Sequence, residues 1–156
     1  MKKKKAIFPG TFDPFTIGHS SLIARALLIV DEVVISIGTN DSKNTLYPFD
    51  ERQQMIKHLY KDNSAVSVMG YDNLTIEFAK EVDADFIIRG IRSINDFEYE
   101  KNIADVNRML SGIETIILFT EPQYTHISSS IVRELIRFGH DISQFVPEEI
   151  ATYIKK

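Results

Sequence analysis

The sequence contains no cysteine and no apolar run long enough for a membrane span. Without cysteine among its 156 residues, disulfide bonds and thiolate metal sites are excluded, and we expect a cytoplasmic location. A membrane helix needs about 20 consecutive apolar residues, a length that no run approaches, so no membrane contact is expected. The basic residues 2–5 precede an apolar stretch that stops at Pro9. That stretch is too short for a secretory signal, so we interpret residues 2–5 as a solvated tail.

The sequence also lacks an excess of positive charge and two common nucleotide-binding motifs. The formal net charge of −4 argues against a general polyanion-binding surface, so no nucleic-acid partner is expected. The absence of G-x-x-x-x-G-K-[ST], and of G-x-G-x-x-G after a strand, excludes a P-loop and a dinucleotide fingerprint. No nucleophile and base stand at a recognisable spacing, so covalent catalysis is unsupported. Any anionic substrate must therefore meet a local cluster of positive groups.

Apolar periodicity predicts strands and helices in alternation. Short apolar or β-branched runs predict strands at residues 6–8, 32–37, 65–71, 85–88 and 115–119. Helical spacing predicts helices at residues 20–30, 50–60, 75–82, 97–110, 130–138 and 147–155. Asp50 is the predicted N-cap of the second helix, with Gln53 completing a capping box. This order predicts a single α/β domain over residues 1–156 with a five-stranded, mainly parallel sheet.

The most informative stretch is residues 9–19, Pro-Gly-Thr-Phe-Asp-Pro-Phe-Thr-Ile-Gly-His, between the first strand and the first helix. A strand-to-helix turn of this kind aims backbone N–H groups and a helix N-terminus at a phosphate. His19 can add a side-chain donor. Polar segments at residues 39–43, 72–75, 89–92 and 124–130 follow the other four strands. The carboxyl ends of parallel strands share one rim, so these segments predict a nucleotide site there.

The charged residues on this rim suit phosphate chemistry. Arg89 and Arg92 flank Gly90 at a strand end, where two guanidinium groups favour a fixed phosphate. The flexible ammonium of Lys43 suits a charge that moves during the reaction. Asp13, followed by Pro14, is interpreted as turn chemistry, because a carboxylate beside phosphate is tolerable only if it caps backbone groups.

Two acidic residues invite a metal interpretation that the spacing disfavours. Glu98 and Glu100 are two apart at a helix start, so their side chains point in different directions. We therefore predict no protein metal ligand.

Three segments carry a family resemblance that spans nearly the whole chain. Thr16-Ile17-Gly18-His19 resembles the T/H-x-G-H signature of the nucleotidyltransferase superfamily. Residues 88–92 (IRGIR) with 96–100 (DFEYE), and residues 127–133 (ISSSIVR), resemble two further blocks of the bacterial phosphopantetheine adenylyltransferases. The resemblance implies a Rossmann-like nucleotidyltransferase fold with helices on both faces of the sheet. It also implies transfer of the adenylyl group of ATP to 4′-phosphopantetheine, giving dephospho-coenzyme A and pyrophosphate.

The same resemblance implies roles for individual residues. His19, Lys43 and Arg92 would be catalytic, and Thr11, Lys43, Thr75 and Arg89 would bind the acceptor. The implied ATP-binding residues are Thr11, Phe12, His19, Gly90, Ile91, Arg92, Glu100, Tyr124, Thr125, His126, Ile127, Ser128, Ser129 and Ser130. Thr75 and His126 depart from the residues usual in the family, which leaves their side-chain roles open.

The resemblance further implies Mg²⁺ carried mainly by ATP, a homohexamer, and coenzyme A as a candidate feedback ligand.

Little acid–base machinery is needed for adenylyl transfer to a phosphate. A phosphomonoester already carries about −1.5 to −2 charges at pH 7, so it can attack without a general base. The protein must position two polyanions and stabilise the charge that develops between them.

Two other interpretations stay open at this point. One is an adenylyl- or cytidylyltransferase with another acceptor, such as nicotinamide mononucleotide, although the block from Arg89 to Glu100 argues against it. The other is a non-catalytic nucleotide-binding regulator with the same fold. The presence of His19, Lys43 and Arg92 argues against that alternative.

Overall fold

A computed structural model describes residues 1–39 and 44–156 of the chain. Its centre is a parallel sheet of five strands in the order β3-β2-β1-β4-β5. The strands are β1 Lys5–Gly10, β2 Glu32–Gly38, β3 Val66–Tyr71, β4 Phe86–Ile91 and β5 Glu114–Phe119. All five lie where the apolar runs predict them, so the α/β class and the five-stranded sheet are confirmed.

Four α-helices connect these strands in the described residues, and a short 3-10 helix and two more α-helices follow the last strand. The α-helices are α1 Ile17–Ala26, α2 Phe49–Leu59, α3 Thr75–Glu81, α4 Ile94–Ser111, α5 Ser129–Arg137 and α6 Glu148–Ile154, and the 3-10 helix is Pro122–Tyr124. The prediction that Asp50 caps the second helix is wrong. Pro48 is the N-cap, and Asp50 lies inside the first turn, where its charge favours the positive end of the helix.

The start and the end of α1 also differ from the prediction. The helix begins at Ile17, three residues early, because Thr16 is its N-cap and the Thr16 hydroxyl accepts the backbone N–H of His19 at 3.3 Å. It ends at Ala26, and residues 27–29 form a turn that leads into the buried Val30.

Successive residues of the strands are buried on opposite faces of the sheet. Ala6 and Phe8 belong to a core that includes residues of α1, α2, α5 and α6. Ile7 packs in a second core with Ile76, Phe78 and Ala79 of α3. Helices therefore cover both faces, as the resemblance implies.

The strand order places the end of β1 at the centre of the site. Because β2 and β4 lie on opposite sides of β1, the connections diverge there, which is where ligands bind in open parallel sheets. Gly90, near the end of β4, allows α1 to approach closely. A Cβ at this position would lie 2.3 Å from Leu22 Cδ1.

Within residues 1–39 and 44–156, no helix is long and apolar enough to cross a membrane.

Candidate active site

Side chains from β4, α2 and α5 hold the backbone of residues 9–16, which we call the β1–α1 segment. Four carbonyl oxygens of this segment each accept a hydrogen bond from one of these side chains. They are Pro9 from Arg89 Nη1 at 2.5 Å, Thr11 from Arg52 Nη1 at 2.6 Å, Asp13 from Arg133 Nη1 at 2.9 Å and Pro14 from Ser129 Oγ at 2.7 Å. A trans peptide directs its C=O and N–H in opposite senses. The bond from Arg52 to the Thr11 carbonyl therefore leaves the N–H of Phe12 directed to the opposite side of that peptide, where it can serve an anion, whereas Pro14 has no N–H to offer.

Asp13, which belongs to this segment, has a buried carboxylate. Asp13 is 2 % exposed and accepts backbone N–H bonds from Leu46 at 2.7 Å and Tyr47 at 2.9 Å. The carboxylate therefore caps backbone groups, the condition under which it was expected to be tolerable here, but these groups belong to residues 46–47 and not to its own turn. It also links the β1–α1 segment to residues 46–47, just before α2.

His19 is held at its Nδ1 atom, which leaves Nε2 as the donor. The backbone N–H of Thr16 donates to His19 Nδ1 at 2.9 Å, so the neutral ring carries its proton on Nε2. The rings of Phe8, Phe12 and Phe15 surround the imidazole, with centroids 5.1 to 6.1 Å away. Burial, together with the nearby charges of Arg92 and Arg89, lowers the pKa of His19 to about 3. His19 is therefore a neutral hydrogen-bond donor at physiological pH.

Phe12 has an unusual backbone conformation. Its φ of 54° lies in the left-handed region, which a non-glycine residue rarely adopts. Its ring packs 5.4 Å from both Phe8 and Phe15, and its preceding carbonyl is bound by Arg52. Such a conformation persists only where the surroundings determine it, and it is common at ligand sites.

A cavity of about 340 Å³ opens above the β1–α1 segment, and we call it the first cavity. Most of the residues predicted to bind ATP line it: Thr11, Phe12, His19, Gly90, Arg92, Glu100, Tyr124, Ile127, Ser128, Ser129 and Ser130. Ile91 is buried, whereas Thr125 and His126 are exposed, and none of the three is a lining residue. Lys43 lies outside the described residues, so its predicted role stays a prediction.

The start of α5 forms one wall of the first cavity. The hydroxyl of Ser128 caps the helix by accepting Ile131 N–H at 3.2 Å, and Ser130 Oγ accepts from Arg133 Nη2 at 3.1 Å. Both hydroxyls thus accept a bond within the protein, and each keeps its O–H as a donor. The helix N-terminus, with its free backbone N–H groups and positive dipole end, is what this wall offers to a phosphate.

Arg92 is held more loosely than the other arginines of the site. Its Nε lies 3.4 Å from Asp96 and its Nη1 lies 3.4 Å from the carbonyl of Ile127. The side chain is 43 % exposed. These long contacts leave most of its five N–H donors for a ligand in the first cavity.

Arg89 and Glu100 form a two-bond pair between β4 and α4. Arg89 Nε donates to Glu100 Oε2 at 2.8 Å and Nη2 donates to Oε1 at 2.7 Å. Glu100 is buried and Glu98 is exposed, which confirms that the two carboxylates point apart. Glu100 lines the first cavity, but both of its oxygens are bonded to Arg89, which the sequence does not reveal.

A second cavity, of about 360 Å³, meets the first across a shared wall. The residues common to both are Pro9, Gly10, Thr11, Arg89 and Glu100. Thr75, predicted to contact the acceptor, lines the second cavity and lies 3.1 Å from the hydroxyl of Tyr71. The lining residues that were not predicted include three from α4: Tyr99, Ile103 and Asn107. Their four-residue spacing, which places them on one face of α4, was the available signal.

Sequence reasoning also missed Arg52 and gave Arg133 no role. Arg52 stands three and four residues before the buried Met55 and Ile56, so it shares the apolar face of α2. A charged residue on such a face needs a buried partner, and that conflict was the signal. In the described part of the chain, no group of three or more His, Asp or Glu side chains could hold a metal ion.

Comparison with known proteins shows to which family this chain belongs. The profile of the cytidylyltransferase-like family matches residues 7–135. The phosphopantetheine adenylyltransferase of Bacteroides thetaiotaomicron is 62 % identical over 145 residues, 93 % of this chain and 96 % of the relative. The chain belongs to the phosphopantetheine adenylyltransferase family.

More distant members of the family match over the same extent. The phosphopantetheine adenylyltransferase of Porphyromonas gingivalis is 49 % identical over 148 residues, which cover 95 % of this chain and 97 % of the relative. The phosphopantetheine adenylyltransferase of Oenococcus oeni is 42 % identical over 151 residues, which cover 97 % of this chain and 96 % of the relative. The similarity therefore includes both cavities and all three sequence segments that carry the resemblance.

Proposed function

We propose that the chain transfers the adenylyl group of ATP to 4′-phosphopantetheine, giving dephospho-coenzyme A and pyrophosphate. The observation that carries this proposal is the pair of cavities that meet at the β1–α1 segment and Arg89. Two substrates bound in them would bring an acceptor phosphate and the ATP α-phosphate together. The names of the family members support this choice of substrates.

In the proposed reaction, a phosphate oxygen of the acceptor attacks the α-phosphorus of ATP. The new bond joins that oxygen to phosphorus, and the bond to the pyrophosphate oxygen breaks. No proton has to be removed, because the acceptor is already an anion. The protein supplies donors and positive charge where negative charge develops.

Each group of residues has a part in this proposal. ATP occupies the first cavity, with its phosphates between the β1–α1 segment and the start of α5. His19 Nε2–H and Arg92 stabilise the transition state, and Lys43 follows the acceptor phosphate. The acceptor lies in the second cavity along Thr75 and α4, with its phosphate towards Thr11 and Arg89.

We propose that Mg²⁺ is bound mainly by the ATP phosphates. Three carboxylates line the first cavity in the described part of the chain, and each is already bonded. Asp13 accepts backbone N–H groups, Asp96 accepts from Arg92 and Glu100 accepts from Arg89. Protein ligands for the ion would therefore be few, as is usual for Mg²⁺ at nucleotide sites.

We also propose a homohexamer in the cytoplasm. Exposed apolar residues on α4, such as Val106, Met109 and Leu110, form a surface suited to burial between copies of the chain. Sedimentation should then give six times the 17.9 kDa of one chain. Coenzyme A, which contains the product plus one phosphate, is a candidate feedback ligand, and competition with ATP would test it.

The direct test is pyrophosphate release from ATP with a panel of acceptors. We expect turnover with 4′-phosphopantetheine and none with pantetheine, which lacks the attacking phosphate. Mass spectrometry should identify dephospho-coenzyme A. Preference for nicotinamide mononucleotide would replace the proposed acceptor, and tight ATP binding without turnover on any acceptor would favour a regulator.

A further inference from the structure

Arg52 is a buried cation that lines neither cavity. It is 4 % exposed, lies on the apolar face of α2, and donates to two backbone carbonyls, Thr11 at 2.6 Å and Tyr47 at 3.0 Å. Burial lowers the pKa of Arg52, and the carboxylate of Asp13 opposes that shift. Burying a guanidinium is costly, and an apolar side chain would fill the same space without that cost. The two carbonyls that Arg52 binds indicate that its guanidinium group fixes the backbone at Thr11 and Tyr47.

The bond from Arg52 fixes the peptide between Thr11 and Phe12. The carbonyl of Thr11 and the N–H of Phe12 belong to one planar trans unit and point in opposite senses. Arg52 binds the carbonyl from the α2 side, whereas Thr11 and Phe12 both line the first cavity. The Phe12 N–H is therefore directed away from α2. A cationic donor on the carbonyl also polarises the peptide and strengthens its N–H as a donor.

The conformation of Phe12 explains why this peptide needs a partner. At a φ of 54°, Phe12 is in a backbone region that most side chains avoid, so the peptide would otherwise relax. A second set of hydrogen bonds connects the β1–α1 segment to residues 46–47, just before α2. Arg52 binds Tyr47 O while Asp13 accepts Leu46 N–H and Tyr47 N–H, so α2 cannot shift without moving the β1–α1 segment.

We infer that Arg52 is a positioning residue that aims the Phe12 N–H at a phosphate of the bound nucleotide. This inference rests on the proposed function. Arg52 touches no substrate and acts only through the Thr11–Phe12 peptide. Losing it should therefore impair the use of ATP in an enzyme that is still folded.

The test compares three variants with the wild type at a temperature where all are folded. Arg52→Met keeps an unbranched apolar stem of about the length of arginine's aliphatic part and removes the guanidinium group with its charge and donors. Arg52→Lys keeps the charge but carries its donors on a single nitrogen, which can replace one of the two carbonyl bonds. Met55→Ala is the matched control, because Met55 is 2 % exposed on the same face of α2 and touches no residue of the β1–α1 segment through a hydrogen bond. The readouts are the melting temperature, kcat, and KM for each substrate.

For Arg52→Met we expect kcat/KM for ATP to fall about 10-fold to 10²-fold, the range for a misplaced group at a site. Arg52→Lys should recover part of this loss. Met55→Ala should lower the melting temperature and leave kcat/KM near the wild-type value. If Arg52→Met only lowers the melting temperature, as Met55→Ala does, Arg52 is structural and the inference is wrong.

Arg52→Lys covers the case in which Arg52→Met fails to fold, since an intermediate loss of kcat/KM for ATP would still support the inference. Wild-type kinetics in a less stable Arg52→Lys would contradict it. Failure of the proposed function would look different, because the wild type itself would not turn over 4′-phosphopantetheine.

Discussion

At the scale of single residues, His19 is both a structural and a reacting group. Nδ1 accepts the Thr16 N–H and so closes a capping box at the start of α1, while Nε2–H remains for the ligand. The phenylalanine rings around it keep the imidazole neutral. A neutral donor can stabilise developing negative charge without exchanging a proton at each turnover.

Replacement of His19 by alanine and by glutamine should separate these two duties. Gln at the third helical position can still bond the N-cap backbone, so His19→Gln should keep more of the melting temperature than His19→Ala. His19→Ala should lose roughly 10²–10³ in kcat, the cost of one transition-state donor, with ATP affinity comparatively unchanged, and His19→Gln should lose less because its amide N–H can still donate. Kinetics and thermal melting on one preparation measure both effects. Normal turnover in a folded His19→Ala enzyme would remove His19 from the catalytic group.

The low pKa of His19 predicts a pH dependence of stability. The pKa is about 3 in the folded protein against 6.5 in the unfolded chain, so between these values the unfolded chain binds a proton that the folded one does not. The contribution is complete above pH 6.5 and is lost as pH falls towards 3, by up to about 1.4 kcal/mol per pH unit. Urea unfolding at pH 7 and pH 5 should show a smaller loss for His19→Gln than for the wild type. Equal losses would mean that the ring titrates normally.

At the residue scale, the sequence predicts the groups that face a ligand better than the groups that support them. His19, Arg89 and Arg92 lie at or beyond the predicted ends of strands, and that position alone assigns them to the rim. Arg52, Arg133 and Ser129 hold backbone carbonyls that lie 41, 120 and 115 residues away in the chain. Local patterns report burial and not such distant partners, so their roles needed the structure.

At the scale of elements, α4 controls the wall between the two cavities. Glu100 binds Arg89 of β4, and the next turns of the same helix contribute Ile103 and Asn107 to the second cavity. The charges of Arg89 and Glu100 largely cancel. Arg89 therefore serves the acceptor as an oriented donor more than as a free positive charge.

This pairing changes how Arg89 should be tested. Arg89→Ala would leave Glu100 buried without its partner, which costs about 3 kcal/mol of stability, at the lower end of the range because Arg89 is 31 % exposed. Arg89→Ala with Glu100→Gln should recover much of that stability. Relative to Glu100→Gln alone, calorimetry on the double variant should show a loss of about 1.5–3 kcal/mol in phosphopantetheine binding, the worth of one charge-assisted bond, and a smaller loss for ATP. If ATP affinity falls while acceptor affinity holds, the assignment of Arg89 is wrong.

The boundaries of elements were predicted only where the apolar pattern marks them. The strands match because β-branched runs are local signals. The start of α1 at Ile17 depends on the hydroxyl of Thr16 and the imidazole of His19, which the apolar spacing from Leu22 onward does not report. The start of α2 at Phe49 was not predictable either, because residues 46–47, just before its N-cap Pro48, are fixed by Asp13 from another part of the chain.

At the scale of the whole molecule, strand order decides the function. The sequence predicts that polar segments share one rim, but the order β3-β2-β1-β4-β5 sets which of them meet. It brings β4, with Arg89, beside β1 and leaves β2 and β3 on the other side, so two cavities adjoin at the end of β1. Positioned anions and fixed donors then account for the transfer without a base from the protein.

The pH dependence of kcat/KM for the acceptor tests this central claim most directly. If the acceptor dianion attacks unaided, the rate should rise with its second ionisation near pH 6, and His19, with a pKa of about 3, should add no limb above that. The profile of Asp96→Asn, which neutralises a half-exposed carboxylate of the first cavity, should have the same midpoint as the wild type. A limb that shifts or vanishes in that folded variant would reveal a base supplied by the protein and would contradict the account.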